Sequence, residues 1–384
     1  MYEPSGRQSP SLAFLWPAFV AASASDLAGL FAKHFANLAV GPAGPPSQEP
    51  KWATPHAIAL ELNTVRLRDF TTEAKGPPAL LCTPLALHSA AIADFAPGHS
   101  LVASLRRAGL RRLFATDWRS ATAEMRLLGI DDYLADLNVL VDQIGAPVDL
   151  IGLCQGGWMA LLYAARFPAK VRKLVLAGAP VDIKAAPSAL SELADISPLA
   201  VFQELVRLGD GIVPGSKVLK FWGVGSVIAE DMQDVLMQTD EAIGSAGFTE
   251  LEALFRNWYA WTIDLPGAYF LEVVEKLYKG NELAAGRFLA LGQRIDLAKV
   301  SVPIFLLAAR DDELVAPPQL FAVEHLVGTA PVDIASETVP GRHVGLFMGK
   351  SALEGVWPRI VGWLGEPTPT ALHRVQARSI ESVE

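Results

Sequence analysis

The feature that most constrains this chain is the stretch VDLIGLCQGGWMALLYAARFP, residues 148–168. An apolar run ends at Gly152, and a helical pattern begins near Gly156. Between them lies Gly152-Leu153-Cys154-Gln155-Gly156, a strand–turn–helix elbow with cysteine at its tip. Such a turn holds its central residue at unfavourable dihedrals, and glycines two before and two after leave room for the crowded backbone. The elbow lifts the Cys154 side chain above the strand and sets its sulfur at the N-terminal end of the next helix. Developing negative charge is favoured there. The backbone N–H of Gln155 points where an oxyanion would form. A small buried cysteine in a glycine-rich turn is the bland alternative. The setting, between an apolar strand and an amphipathic helix, favours a nucleophile.

A strand that feeds a helix in this way belongs to an alternating pattern, and the chain supplies one. Strands are expected at 57–63, 78–83, 111–118, 147–153, 172–179, 302–309 and 331–339. Helices are expected at 99–108, 130–144, 156–167, 317–327 and 350–364. Several of the strands are apolar throughout, as in a parallel sheet covered on both faces. The expected architecture is α/β, an α/β-hydrolase fold with a mostly parallel sheet. Its core falls in two parts, 56–183 and 298–365. Between them the alternation breaks, and 184–297 reads as a helical cap insertion able to act as a lid.

A thiol nucleophile needs a base, and the base an orienting acid. In this fold they follow the nucleophile in the order acid then histidine, each in a loop after a late strand. The strand at 302–309 runs into Arg310-Asp311-Asp312-Glu313-Leu314-Val315. The one-residue spacer before an aliphatic pair selects Asp312 over Asp311. The strand at 331–339 runs into Pro340-Gly341-Arg342-His343. Of the seven histidines, His343 alone follows a strand downstream of Asp312; His325 sits in a helical pattern and His373 in the tail. A second oxyanion donor is expected from the loop after the strand at 78–83, within Pro84, Leu85, Ala86, Leu87 and His88. His88 reads either as a polar wall of the site or as a surface residue, and Cys82 as core.

The 384 residues carry a net charge of −9 and no basic stripe, so nucleic-acid binding is not expected. The two cysteines have no metal spacing and are too few for a secreted disulfide scaffold, which points to a cytoplasmic setting. Residues 1–55 read as an N-terminal amphipathic arm and linker. The apolar run at 12–22 lacks the basic flank of a secretory signal and falls short of the roughly 20 residues of a membrane span. No transmembrane segment is expected. Residues 366–384 read as a flexible tail.

These motifs, taken together, resemble the polyhydroxyalkanoate synthase family, especially its shorter-subunit members. The likeness covers about residues 78–365. It runs through ADFAPGHSLV, FATDW, GIDDY and GLCQGG, then IDLPGAYFLEVVEKLYKGNEL and GQRIDLAKVSVPIFLLAARDDELV, and ends in GRHVGLFMGKSALEGVWPRIVGWL. The resemblance implies a Cys154-His343-Asp312 acyltransferase with no resident cofactor. Such an enzyme moves 3-hydroxyacyl groups from coenzyme A thioesters to a growing polyester chain, at the surface of polyester granules. A homodimer or a partner subunit is compatible with it. The chain departs from the family in having Glu313 where His is typical and His88 where Asn is common. A polyester or thioester hydrolase would carry the same triad. A non-catalytic granule protein is the alternative from another class.

Overall fold

Six consecutive buried residues, Val148–Leu153, form a strand deep inside an eight-stranded sheet of the computed structural model, which describes residues 48–222, 225–238 and 244–367. The strands are β1 (Ala57–Glu61), β2 (Val65–Asp69), β3 (Ala79–Cys82), β4 (Leu113–Trp118), β5 (Val148–Leu153), β6 (Val171–Ala177), β7 (Ile304–Ala309) and β8 (Ile334–Val339). Their spatial order is β1-β2-β4-β3-β5-β6-β7-β8. From β4 to β8 all neighbours are parallel, while β1 and β2 close one edge with antiparallel pairing.

Helices α1 (Leu101–Arg107), α2 (Ile130–Ile144) and α3 (Gln155–Arg166) belong to the first part of the core, and α10 (Val356–Gly365) ends it. Helix α2 follows from its spacing. Ile130, Tyr133, Leu134, Leu137, Leu140, Val141 and Ile144 are buried on one stripe, and Gly145 at positive φ stops the helix. Alternate residues of the central strands serve opposite faces. Ile151, Leu153, Val175, Ala177, Phe305 and Leu307 cluster with Leu101 and Leu105 of α1 and Ile360 and Leu364 of α10. Leu150, Leu174, Leu176, Ile304 and Leu306, on the other face, are equally inaccessible. Helix α3 packs against β5 and β6. This two-sided cover explains why these strands are apolar throughout.

Two expectations need correction. The strand β2 was not anticipated. Its Val65 and Leu67 are fully buried, but Arg66 and Arg68 alternate with them and pair with Asp117 on β4. The helix expected over 350–364 is broken at Gly355 into Lys350–Glu354 and α10.

Between β6 and β7 the chain is mainly helical. It forms α4 (Ala189–Ile196), α5 (Leu199–Leu208), α6 (Gly215–Trp222), α7 (Gly225–Met237), α8 (Gly244–Ala260) and α9 (Gly267–Glu272), which runs on as a π-helix over Val273–Lys279. Two short strand pairs accompany the helices, Ile212–Val213 with Leu265–Pro266 and Leu289–Ala290 with Gln293–Arg294, and His88 and Thr262 form an isolated bridge. The amphipathic arm at 11–40 and the polar tail lie outside the described residues. Among the described residues no helix is long and apolar enough to cross a membrane.

Candidate active site

Cys154 sits between β5 and α3 with φ 49° and ψ −120°. Positive φ at a residue with a side chain costs of order 1–3 kcal/mol and persists only where the surroundings impose it. Here they do. The Cys154 N–H donates to the Ala177 carbonyl at 2.9 Å, and its carbonyl accepts from Gly157 N–H at 2.8 Å. The glycines around it are required by close approach. A Cβ on Gly156 would lie 2.1 Å from the Cys82 carbonyl oxygen, and one on Gly157 would lie 2.3 Å from the Cβ of Ala179.

The late loops bring the other two predicted residues to the same place. His343 Nδ1 is 2.6 Å from Asp312 Oδ2, and both residues are buried. The other carboxylate oxygen of Asp312 accepts from the N–H groups of Leu314 and Val315 at 2.9 and 2.8 Å. That is why the aliphatic pair follows at its fixed spacing. Asp311, its neighbour, is exposed. Cys154 lines the same cavity as His343, and its sulfur is, after Asp312, a second group acting on the ring. Burial alone would lower the His343 pKa, but the Asp312 carboxylate and the Cys154 sulfur outweigh it and hold it well above the ordinary histidine range. Gly178, at φ +55°, forms the floor under the ring. A Cβ there would stand 3.0 Å from His343 Cε1.

The helix start presents the Gln155 N–H in its first turn, where helical N–H groups have no intrahelical acceptor. The Gln155 side chain is fixed. Its amide donates to the Tyr278 hydroxyl at 2.6 Å and its carbonyl accepts from the Trp158 indole at 2.8 Å. Pro84, Leu85, Ala86, Leu87 and His88 all line the cavity that holds Cys154 and His343. Pro84 is corrected as an oxyanion donor, since it has no N–H; Leu85 to His88 remain. His88 belongs to the cavity wall, with both ring nitrogens buried. Cys82 is fully buried at the end of β3, and burial pushes its thiol up to about 12, as suits an inert core cysteine.

The cavity has a volume of about 160 Å³ and mostly apolar walls. The segment between β6 and β7 supplies much of them, including Trp258 of α8, Tyr269 and Phe270 of α9, and Tyr278 of the π-helix. Among the described residues no group of His, Cys, Asp or Glu is placed to hold a metal ion.

Sequence reasoning missed Asp231. This carboxylate, on α7, is 1% exposed and accepts the N–H of Val344 at 2.8 Å, one residue past His343. On the other side of His343, Arg342 pairs with Glu230 and Asp234 of the same helix. The helix thus grips the His343 loop at two points. Its signal was present in the spacing: Asp231 falls among Ile228, Met232 and Val235, all buried.

Comparison with known proteins agrees with this architecture. The family described as alpha/beta hydrolase fold matches residues 89–211, and the family described as PHB de-polymerase C-terminus matches residues 230–366. The poly(3-hydroxyalkanoate) polymerase subunit PhaC of Haloferax mediterranei is 25% identical over 331 residues, 83% of this chain and 65% of its own length. The subunit of the same name from Synechocystis is 28% identical over 330 residues, 82% of this chain and 85% of its own. Among solved structures, the monoacylglycerol lipase of Paleococcus ferrophilus superposes with a TM-score of 0.51 at 16% identity, over 78% of this chain and 98% of the lipase. That likeness speaks for the fold alone. The long collinear matches to several poly(3-hydroxyalkanoate) polymerases, at 23–28% identity, and the two family matches support a polyhydroxyalkanoate synthase-family protein of α/β-hydrolase fold.

Proposed function

We propose that the chain transfers 3-hydroxyacyl groups from coenzyme A thioesters to a growing polyester through an acyl-enzyme on Cys154. The observation that carries this reading is a cysteine on a strained elbow that shares the wall of an apolar cavity with a histidine held from behind by a buried carboxylate. His343 takes the Cys154 proton as the sulfur attacks the thioester carbonyl. The coenzyme A sulfur leaves with that proton. A hydroxyl then attacks the Cys154 thioester, His343 takes the hydroxyl proton, and Cys154 departs as thiol with the polyester one unit longer. The Gln155 N–H and one donor from Leu85 to His88 carry the oxyanion in both steps. Exchange between two thiols is nearly isoenergetic, so loading from a thioester is reversible and suits a cysteine.

The segment at 184–297 acts as a lid in this scheme. Its support is the share of the cavity wall it supplies and the grip of α7 on the His343 loop. Hydrolysis of polyester is the second reading, favoured by the match of residues 230–366 to the de-polymerase C-terminus family. Incubation with 3-hydroxybutyryl-coenzyme A, following both thiol release and polymer, separates the two. Release with insoluble polymer is the expected result, and release with free 3-hydroxybutyrate alone would establish the hydrolase instead. Association with the surface of polyester granules goes with the synthase reading, as does a second copy or a partner subunit.

A further inference from the structure

The two late loops that carry Asp312 and His343 are zipped together. The Arg310 N–H donates to the Val339 carbonyl at 2.8 Å, and the Asp311 N–H donates to the Gly341 carbonyl at 3.0 Å. Asp312 and His343 form the next rung, at 2.6 Å. One further rung lies beside it. Arg342, which precedes His343, reaches Glu313, which follows Asp312, with Nη1 2.8 Å from Oε1. Glu313 stands where histidine is typical of the family, so this rung is built on a residue particular to this chain.

The Arg342 guanidinium does not stop at Glu313. Its Nη1 is also 3.2 Å from Glu230 Oε2, and its Nε is 3.3 Å from Asp234 Oδ2. Glu230 and Asp234 lie one turn apart on α7 and so share a face. Ile228 of the same helix lines the cavity. One side chain therefore joins the acid loop, the histidine loop and a helix of the cavity wall. Three carboxylates outnumber one guanidinium, so the cluster is no seat for the phosphates of coenzyme A. Nor does it add much to stability, because all three carboxylate side chains are more than half exposed and such pairs are weak. What it can do is fix geometry. Without the guanidinium, three like charges would face one another across the seam between α7 and the loops.

We propose that Arg342 is a positioning residue, which keeps His343 aligned on Cys154 by holding both late loops against α7. It acts through His343 and takes no part in the chemistry itself. The inference rests on the acyl-transfer reading of the Cys154 site. A displacement of about 1 Å at a reacting group can cost about a hundredfold in rate, so a loosened loop is felt in the chemical step more than in binding.

The test follows the first turnover of coenzyme A release from 3-hydroxybutyryl-coenzyme A over a range of substrate concentrations, with a urea titration of each variant alongside. Arg342→Gln keeps a polar chain and removes the charge. Its maximal rate is expected to fall by about tenfold or more, while the half-saturating concentration stays within about twofold and the urea midpoint stays near the parent's. Arg342→Lys, which restores the charge, is expected to recover most of the rate. Glu230→Ala combined with Asp234→Ala, which removes the α7 side, is expected to lower the maximal rate by at least about threefold. A maximal rate in Arg342→Gln within about twofold of the parent's would overturn the inference. So would a loss confined to the half-saturating concentration, or one that tracks a lowered urea midpoint and is not recovered by lysine, which marks a merely structural role. The parent's rate in the paired α7 variant would overturn it as well, since the helix would then have no part in the alignment. No release of coenzyme A by the unaltered protein would sink the acyl-transfer reading and this inference with it. Release by the unaltered protein that ignores the Arg342 substitutions would sink the inference alone.

Discussion

Asp231→Asn tests how the helical segment and the core share a buried charge. Asp231 lies beside Asp312 and His343 with 1% of its surface exposed, and its pKa is raised to about 6. Burial is the main cause and the Asp312 carboxylate adds to it. The Val344 N–H, His343 and Arg342 act in the opposite sense. An unfolded aspartate titrates near about 3.9, so between about pH 4 and 6 the folded chain binds more protons than the unfolded one. Stability from this group is therefore fully present at low pH, falls as pH rises through that window, and stays reduced above it. A gap of roughly two units at about 1.4 kcal/mol each makes the cost about 3 kcal/mol near neutral pH. Asparagine keeps an oxygen for the Val344 N–H and drops the charge.

The variant should then be more stable than the parent by up to about 3 kcal/mol at about pH 7.5, with the difference shrinking toward zero near about pH 4. Paired urea titrations at the two pH values read this directly. A variant less stable than the parent near neutral pH would refute the reasoning. It would mean that attraction to Arg342 and the His343 ring outweighs the burial cost. Coenzyme A release should change little, because the bond that holds the His343 loop survives.

Cys154→Ala and His343→Ala should each abolish thiol release in a folded protein, with the double variant no worse, since such groups act as a unit; most of the activity surviving in either would end the proposed mechanism. Asp312→Asn should lower the release rate by roughly 10²- to 10⁴-fold, by analogy with the loss of the orienting acid in a serine triad, whereas Asp311→Asn should stay near the parent. The reverse order would move the acid by one residue. Limited proteolysis should cut within 184–297 before the sheet core and slow when a non-hydrolysable acyl analogue is bound, and cutting indifferent to the analogue would count against a lid.

What could be read from the sequence follows the physics of each element. The strand β5 announces itself because both its faces are covered, so five of its six residues are apolar; the sixth, Asp149, pairs with Arg172 on β6. Helix α2 does so through an unbroken buried stripe, and the Asp312 register through the two N–H groups its carboxylate needs at 314 and 315. The strand β2 hides because its two arginines interrupt the apolar run, and their shared buried partner Asp117 lies far away in sequence. Asp231 hides for a similar reason: a carboxylate on a helix reads as solvated until the Val344 N–H comes to meet it. Tyr278 lies on a π-helix, whose wider turn departs from the 3.6-residue period used to find helical faces. The floor under His343 needed the approach of Gly178, two segments apart in sequence, and no local pattern reports that.

One triad can serve synthesis or hydrolysis, so the outcome depends on which hydroxyl reaches the Cys154 thioester. Water entering a cavity needs two to four polar partners to be held there. The walls here offer few, since Ser89, Tyr269, Tyr278 and Gln155 already bond within the protein. A hydroxyl borne on an acyl chain meets different terms. Its carbon skeleton gains from burial against Leu85, Ile92, Phe270 and Phe347, and its single polar group needs only one acceptor. The same apolar wall thus disfavours water and favours the chain end. On this argument, polar substitutions in the wall, such as Phe347→Tyr or Ile92→Thr, should shift product from polymer toward free acid while leaving the acylation of Cys154 nearly unchanged.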